Sequence, residues 1–145
     1  MDRGAIAVWR GNGSNGKGMI STDTGALQER RYSARSSFEQ TGQDPIIGTN
    51  PEELLGAAHA ACFSMALSHG LAQAGTPADR LDVKATSTFV PGTGITQMRL
   101  ELRGRVPGLD AEQFRQAAEQ AKENCPVSKA LAGNVEISLD ASLES

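Results

Sequence analysis

Asn50-Pro51-Glu52-Glu53-Leu54-Leu55-Gly56-Ala57-Ala58-His59-Ala60-Ala61-Cys62-Phe63-Ser64-Met65-Ala66-Leu67 opens one long helix. Asn50 suits the N-cap, Pro51 the first helical position, and Glu52 and Glu53 the positive end of the helix dipole. The run stops near Gly75-Thr76-Pro77. Its apolar stretch from Leu54 to Leu71 is interrupted by His59, Ser64, Ser68 and His69, and much of it is only alanine. It therefore reads as a buried helix of a soluble protein rather than a membrane span. A helix apolar on most sides needs cover on most sides. One small sheet cannot supply that, so a homodimer packing its helices together is expected.

On the N-terminal side, Gly4 to Arg10 alternates weakly and ends at the turn Gly11-Asn12-Gly13-Ser14-Asn15-Gly16. With Met19-Ile20-Ser21-Thr22 beyond, this predicts a β-hairpin. Leu27 to Phe38 is polar and alternating and predicts one or two further strands, and Gly42 to Thr49 a loop. On the C-terminal side, Leu81–Val90 and Ile95–Val106 are strand-like around the hairpin signal Pro91-Gly92-Thr93-Gly94. Asp110 caps a helix to about Asn124 whose apolar stripe is Phe114, Ala117, Ala118 and Ala121. Val127 to Leu131 reads as a short helical turn, and Val135 to Leu143 as a final strand. Strands, helix, strands, helix and strand, joined by hairpins, predict an α+β fold with an antiparallel sheet. No repeat or linker interrupts the 145 residues, so a single domain over 1–145 is expected.

Aromatics are 4% of the chain and the net charge is −3, without the Lys/Arg density of a phosphate-tracking surface. Nucleic acid and membrane are therefore not expected partners. The N-terminus shows no apolar signal core, and the chain is expected to be cytoplasmic, where a permanent disulfide is uncommon.

Two cysteines carry the chemistry. Cys62 lies in the middle of the long helix, and Cys125 ends the second helix immediately before Pro126. Cysteine also packs in cores as a small hydrophobe, and burial makes a thiol inert. A reactive Cys62 thus needs a cation. Glu52 stands ten residues earlier, about 15 Å along an ideal helix. An arginine held by Glu52 would bridge that gap and lower the thiol pKa. His69 falls within about 20° of Cys62 but about 10 Å away, and His59 is one turn away and about 60° off. A Cys-His hydrolase is therefore an alternative, though no oxyanion-hole signature accompanies it. Two Cys and two His lack zinc-knuckle spacing. The glycines at 11, 13, 16 and 18 lack the Gly-Lys-Ser/Thr of a phosphate loop.

Gly48 to Ser68, with Asn124-Cys125-Pro126-Val127-Ser128-Lys129-Ala130-Leu131, strongly resembles the OsmC/Ohr family of osmotically inducible and organic hydroperoxide resistance proteins. Trp9, Gly16-Lys17-Gly18, Ser21-Thr22 and Val106-Pro107-Gly108-Leu109-Asp110 agree, so the resemblance covers nearly the whole chain and sits closer to OsmC. It implies an intertwined α+β homodimer with antiparallel sheets wrapped around long central helices. It also implies a cofactor-free, metal-free thiol peroxidase that reduces organic hydroperoxides and, less efficiently, hydrogen peroxide. By that resemblance Cys62 is the peroxidatic thiol, oxidised to sulfenic acid, and Cys125 the resolving thiol. Their disulfide would be reopened by a dithiol reductant such as a lipoylated protein. Glu52 would hold the activating arginine.

One position departs from the family pattern. The arginine is expected immediately before the phenylalanine of a strand, and here Tyr32-Ser33-Ala34-Arg35-Ser36-Ser37-Phe38 puts Ser37 there. On a strand Arg35 would share a face with Ser37 about 7 Å away. Arg35 is accordingly the expected substitute, with Arg30, Arg31 and Arg10 next in line. The departure also leaves a second reading, a non-catalytic redox sensor or stress-induced binding protein on the same fold.

Overall fold

Alternation and turn chemistry build the N-terminal strands. Ala5–Arg10 (β1), Lys17–Thr22 (β2) and Arg30–Tyr32 (β3) form an antiparallel sheet in the order β1-β2-β3. The computed structural model describes residues 1–39 and 48–144. In the β1–β2 turn, the Asn12 side-chain oxygen accepts from the N–H of Ser14 at 3.1 Å and of Asn15 at 2.7 Å. Gly18 pairs with Trp9 on one side and Tyr32 on the other. Without a side chain between them, those two rings meet with centroids 5.7 Å apart.

The strands expected over Leu27 to Phe38 are only partly present. After β3 the chain turns helical as Ala34–Phe38 (α1). The cause is local: the Ser33 hydroxyl accepts from the Ser36 N–H at 3.2 Å, and the Ser36 hydroxyl from the Ser33 N–H at 2.9 Å. This reciprocal capping box satisfies backbone groups that a sheet ladder would otherwise take. Most of the loop expected over 42–49 lies outside the described residues.

Pro51–Gln73 (α2) starts and stops where expected. The Asn50 side chain accepts from the Glu53 N–H at 2.7 Å, and Gly75 leaves the helix with φ +85°. Only one stripe is buried, Gly56, His59, Phe63, Leu67 and Leu71, at spacings of three and four. The expectation of burial on most sides is not met within this chain: Ala57, Ala58, Ala61 and Ser68 are exposed, and Met65 is 67% exposed. By length and composition α2 could cross a membrane. Its Phe63, Leu67 and Leu71 instead pack in a protein core.

Arg80–Val90 (β4), Gly94–Arg105 (β5), Ala111–Asn124 (α3), Pro126–Leu131 (α4) and Glu136–Leu143 (β6) complete the chain. β4 and β5 are the antiparallel hairpin expected around Pro91–Gly94. β6, however, pairs parallel to β5, so this sheet is mixed rather than antiparallel. Its path explains the direction: β5 reaches β6 through two helices, a crossover of the kind parallel strands require. Met98, Leu100 and Leu102 of β5 face Phe114, Ala118 and Ala121 of α3 in one core. The Asp110 side chain caps α3, accepting from the Gln113 N–H at 2.8 Å.

The chain divides into two compact units, Met1–Leu54 and Leu55–Ser145. The first holds β1–β3, α1 and the opening turn of α2. The second holds the rest of α2, the mixed sheet, α3 and α4. The fold is α+β with two small sheets.

Candidate functional site

Cys125 belongs to two helices at once. Its N–H donates to Ala121 O at 2.9 Å, ending α3, and its φ/ψ of −61°/123° makes it the N-cap of α4. Pro126 dictates that arrangement, because the residue before a proline is driven out of the helical region. The extended backbone at Cys125 places its sulfur before the first N–H groups of α4, where negative charge is favoured.

α2 brings the second thiol. Cys62 is half-buried against the core that contains Cys125, and both cysteines are free thiols. The two groups are close enough to act on each other's ionisation. Burial raises the Cys125 thiol, but the Ser128 N–H, the Cys62 thiol, the Ser128 hydroxyl and the Val127 N–H outweigh it and hold the group below its ordinary range. Cys62 goes the other way. Burial raises it first, the neighbouring Cys125 raises it further, and the Val127 N–H only partly opposes them. The two thiols therefore titrate as a coupled pair, and the N–H groups at the start of α4 favour its thiolate form.

A third partner comes from the same turn of α2. His59 is fully buried, and its Nε2 lies 2.7 Å from the Ser128 Oγ, also buried. Burial lowers the His59 pKa, so the ring is neutral. Its Nδ1 is buried without a hydrogen-bond partner. His59 thus serves Ser128 on the Cys125 side, rather than acting as the base for Cys62 that a Cys-His hydrolase needs. His69 is exposed. Among the described residues no three His, Cys, Asp or Glu side chains converge as metal ligands.

The Ser128 contact was not anticipated from the sequence. The available signal was a matched spacing: His59 and Cys62 stand three apart on α2, as do Cys125 and Ser128 at the start of α4. Residues three apart share a helix face, so one thiol contact between the helices brings the second pair into register.

Glu52 and Arg35 lie in the first unit. Glu52 is half-buried in the first turn of α2 and accepts from the Ser37 hydroxyl at 3.2 Å. The residue standing where the arginine is expected thus meets the glutamate expected to hold it. Arg35 is exposed on α1, with its Nε 2.7 Å from the Glu39 carboxylate. Arg35 does not share a face with Ser37 as expected of a strand, because the segment is helical and residues two apart on a helix lie on different faces.

Comparison with known proteins gives a consistent picture. The family model described as OsmC-like protein matches residues 41–140. Peroxiredoxin OsmC of Escherichia coli strain K12 is 44% identical over 142 residues, covering 96% of this chain and 94% of that protein. The crystal structure of an organic hydroperoxide resistance protein from Elizabethkingia anophelis superposes with a TM-score of 0.74 at 28% identity, over 99% of this chain and 97% of that one. OhrB of Bacillus subtilis superposes with a TM-score of 0.67 at 29% identity, over 96% and 98% of the two chains.

Proposed function

The chain belongs to the OsmC-like family, and from that premise we propose that it is a cofactor-free thiol peroxidase reducing organic hydroperoxides and, more slowly, hydrogen peroxide. The names of its relatives support a peroxidase-type function. The single observation that carries the finer reading is the pair of facing free thiols, Cys62 and Cys125.

In this reading the Cys62 thiolate attacks one peroxide oxygen, the O–O bond breaks, and the organic fragment leaves as an alcohol after taking a proton. Cys62 is thereby oxidised to sulfenic acid. The Cys125 sulfur then attacks the Cys62 sulfur. The S–S bond forms, and the hydroxyl leaves as water with the proton that Cys125 gives up. A dithiol reductant, such as a lipoyl group, exchanges with the disulfide and is itself oxidised. The protein works as a homodimer in the cytoplasm, where thiols are kept reduced between turnovers.

Cys62 reacts as its thiolate, so this reading needs a cation to activate it. Arg35 is our assignment, positioned through Glu52. Steady-state consumption of cumene hydroperoxide with a dihydrolipoyl reductant tests the reading. Activity is expected for the wild type, none for Cys62→Ser, and about one equivalent without turnover for Cys125→Ser. Arg35→Ala should slow the wild-type rate with the fold intact. Retained activity in Cys62→Ser would exclude this mechanism.

The raised Cys62 thiol, together with Ser37 standing where the family pattern has arginine, favours one second reading: a slow redox sensor or stress-induced binding protein on the same fold. A Cys62 pKa at or above the free-thiol value of about 8.5 in the intact protein, with negligible turnover, is the result that reading requires.

A further inference from the structure

Four side chains from two helix faces interlock in the second unit. Cys62 meets Cys125, and His59 meets Ser128. The peroxidase reading uses the first pair and leaves the second without a task, although both its members are buried.

The position of the His59 proton defines that task. The ring is neutral, and Nδ1 has no partner. A proton on Nδ1 would be a buried donor with nothing to accept it, whereas on Nε2 it meets the Ser128 oxygen at 2.7 Å. Nε2–H therefore donates to Ser128, whose own hydroxyl hydrogen is directed elsewhere. Ser128 stands three residues after Cys125, in the first turn of the helix that Cys125 caps, and its hydroxyl and N–H both act to lower the Cys125 thiol. The imidazole thus fixes a hydroxyl that stands one helical turn from the sulfur's own residue.

We propose that His59, acting through Ser128, is a positioning residue that aims a hydroxyl donor at Cys125 during disulfide formation. This inference rests on the peroxidase reading for its purpose, and on the His59–Ser128 contact and the place of Ser128 one turn after Cys125 for its existence. In the balanced step, Cys125–SH and Cys62–SOH give the disulfide and water. The Ser128 hydroxyl stabilises the Cys125 thiolate as its proton departs towards the leaving hydroxyl. Among the described residues, the titratable groups acting on Cys125 are Cys62 and, through Ser128, His59, both from α2; no charged side chain contributes.

Two measurements test it. The first is the thiolate titration of Cys125 in a Cys62→Ser background, followed by ultraviolet thiolate absorbance. Ser128→Ala and His59→Leu should each raise the midpoint by about one pH unit, and His59→Gln, which keeps a donor near the Nε2 position, should hold it. The second is rapid-mixing kinetics with both cysteines present. The same rise should slow disulfide formation at neutral pH roughly threefold, because a tenfold loss of thiolate is partly offset by its greater nucleophilicity. Sulfenic acid formation at Cys62 should slow less. An unchanged midpoint in folded Ser128→Ala would overturn the proposal. A shift in Ser128→Ala with none in folded His59→Leu would overturn the part given to His59. If the wild type consumes no peroxide, the peroxidase reading fails, while the titration still decides whether His59 and Ser128 act on Cys125.

Discussion

At Cys125 a single residue ends one helix, begins the next and carries the thiol, and Pro126 enforces the first two. A cysteine inside α3 would point its sulfur at a neighbouring side chain. At the start of α4 it meets backbone N–H groups that favour the thiolate. Cys62, three residues beyond a neutral histidine and surrounded by apolar side chains, has no comparable support of its own. A reactive Cys62 therefore needs an activating cation. His59 also sets a stability prediction. Burial lowers its pKa below the ordinary 6.5, so below that value the unfolded chain binds the extra proton first. The stability that neutral His59 contributes is fully present above pH 6.5 and is lost as the pH falls towards its lowered folded value. Urea midpoints measured from pH 7.5 down to about 5 should decline, and His59→Gln should flatten the decline. A pH-independent midpoint in the wild type would contradict a neutral, buried His59.

Among the elements, those whose ends are set by local chemistry were legible in the sequence. Asn50 and Pro51 start α2, Asp110 starts α3, and Pro91 to Gly94 turns β4 into β5. α1 was not legible, because a capping box with serine at both ends, Ser33 and Ser36, looks like polar alternation. The parallel pairing of β6 was not legible either. Alternation at Ile137, Leu139 and Ala141 says which face is buried but not which way the strand runs, and the crossover through α3 and α4 fixes that. The thiol pair was readable from motif resemblance, whereas the His59–Ser128 contact spans 69 residues and follows only from how α2 meets α4. One close approach holds the crossover onto the sheet. A Cβ on Gly104 of β5 would run into the Phe114 ring of α3 and sit 3.3 Å from Leu81. Gly104→Ala should therefore cost about 1–3 kcal/mol by overpacking, measured by urea denaturation. A neutral substitution would mean that α3 is free to move away from β5.

For the whole molecule, α2 poses the remaining structural question. It buries one stripe and leaves Met65 and a run of small residues open. An exposed apolar helix face of this length calls for cover, and we assign it to a second copy of the chain. Sedimentation equilibrium should give a dimer, and Met65→Glu should weaken it. A monomeric wild type would remove the assignment. In the proposed mechanism Cys62 meets the peroxide and Cys125 resolves it. The direct test is mass spectrometry of the reduced protein after one equivalent of cumene hydroperoxide, with a sulfenic-acid trap present. The account predicts a Cys62–Cys125 disulfide in the wild type and a trapped sulfenic acid at Cys62 in Cys125→Ser. Sulfenic acid trapped at Cys125 in Cys62→Ser, with Cys62 left reduced in Cys125→Ser, would contradict it.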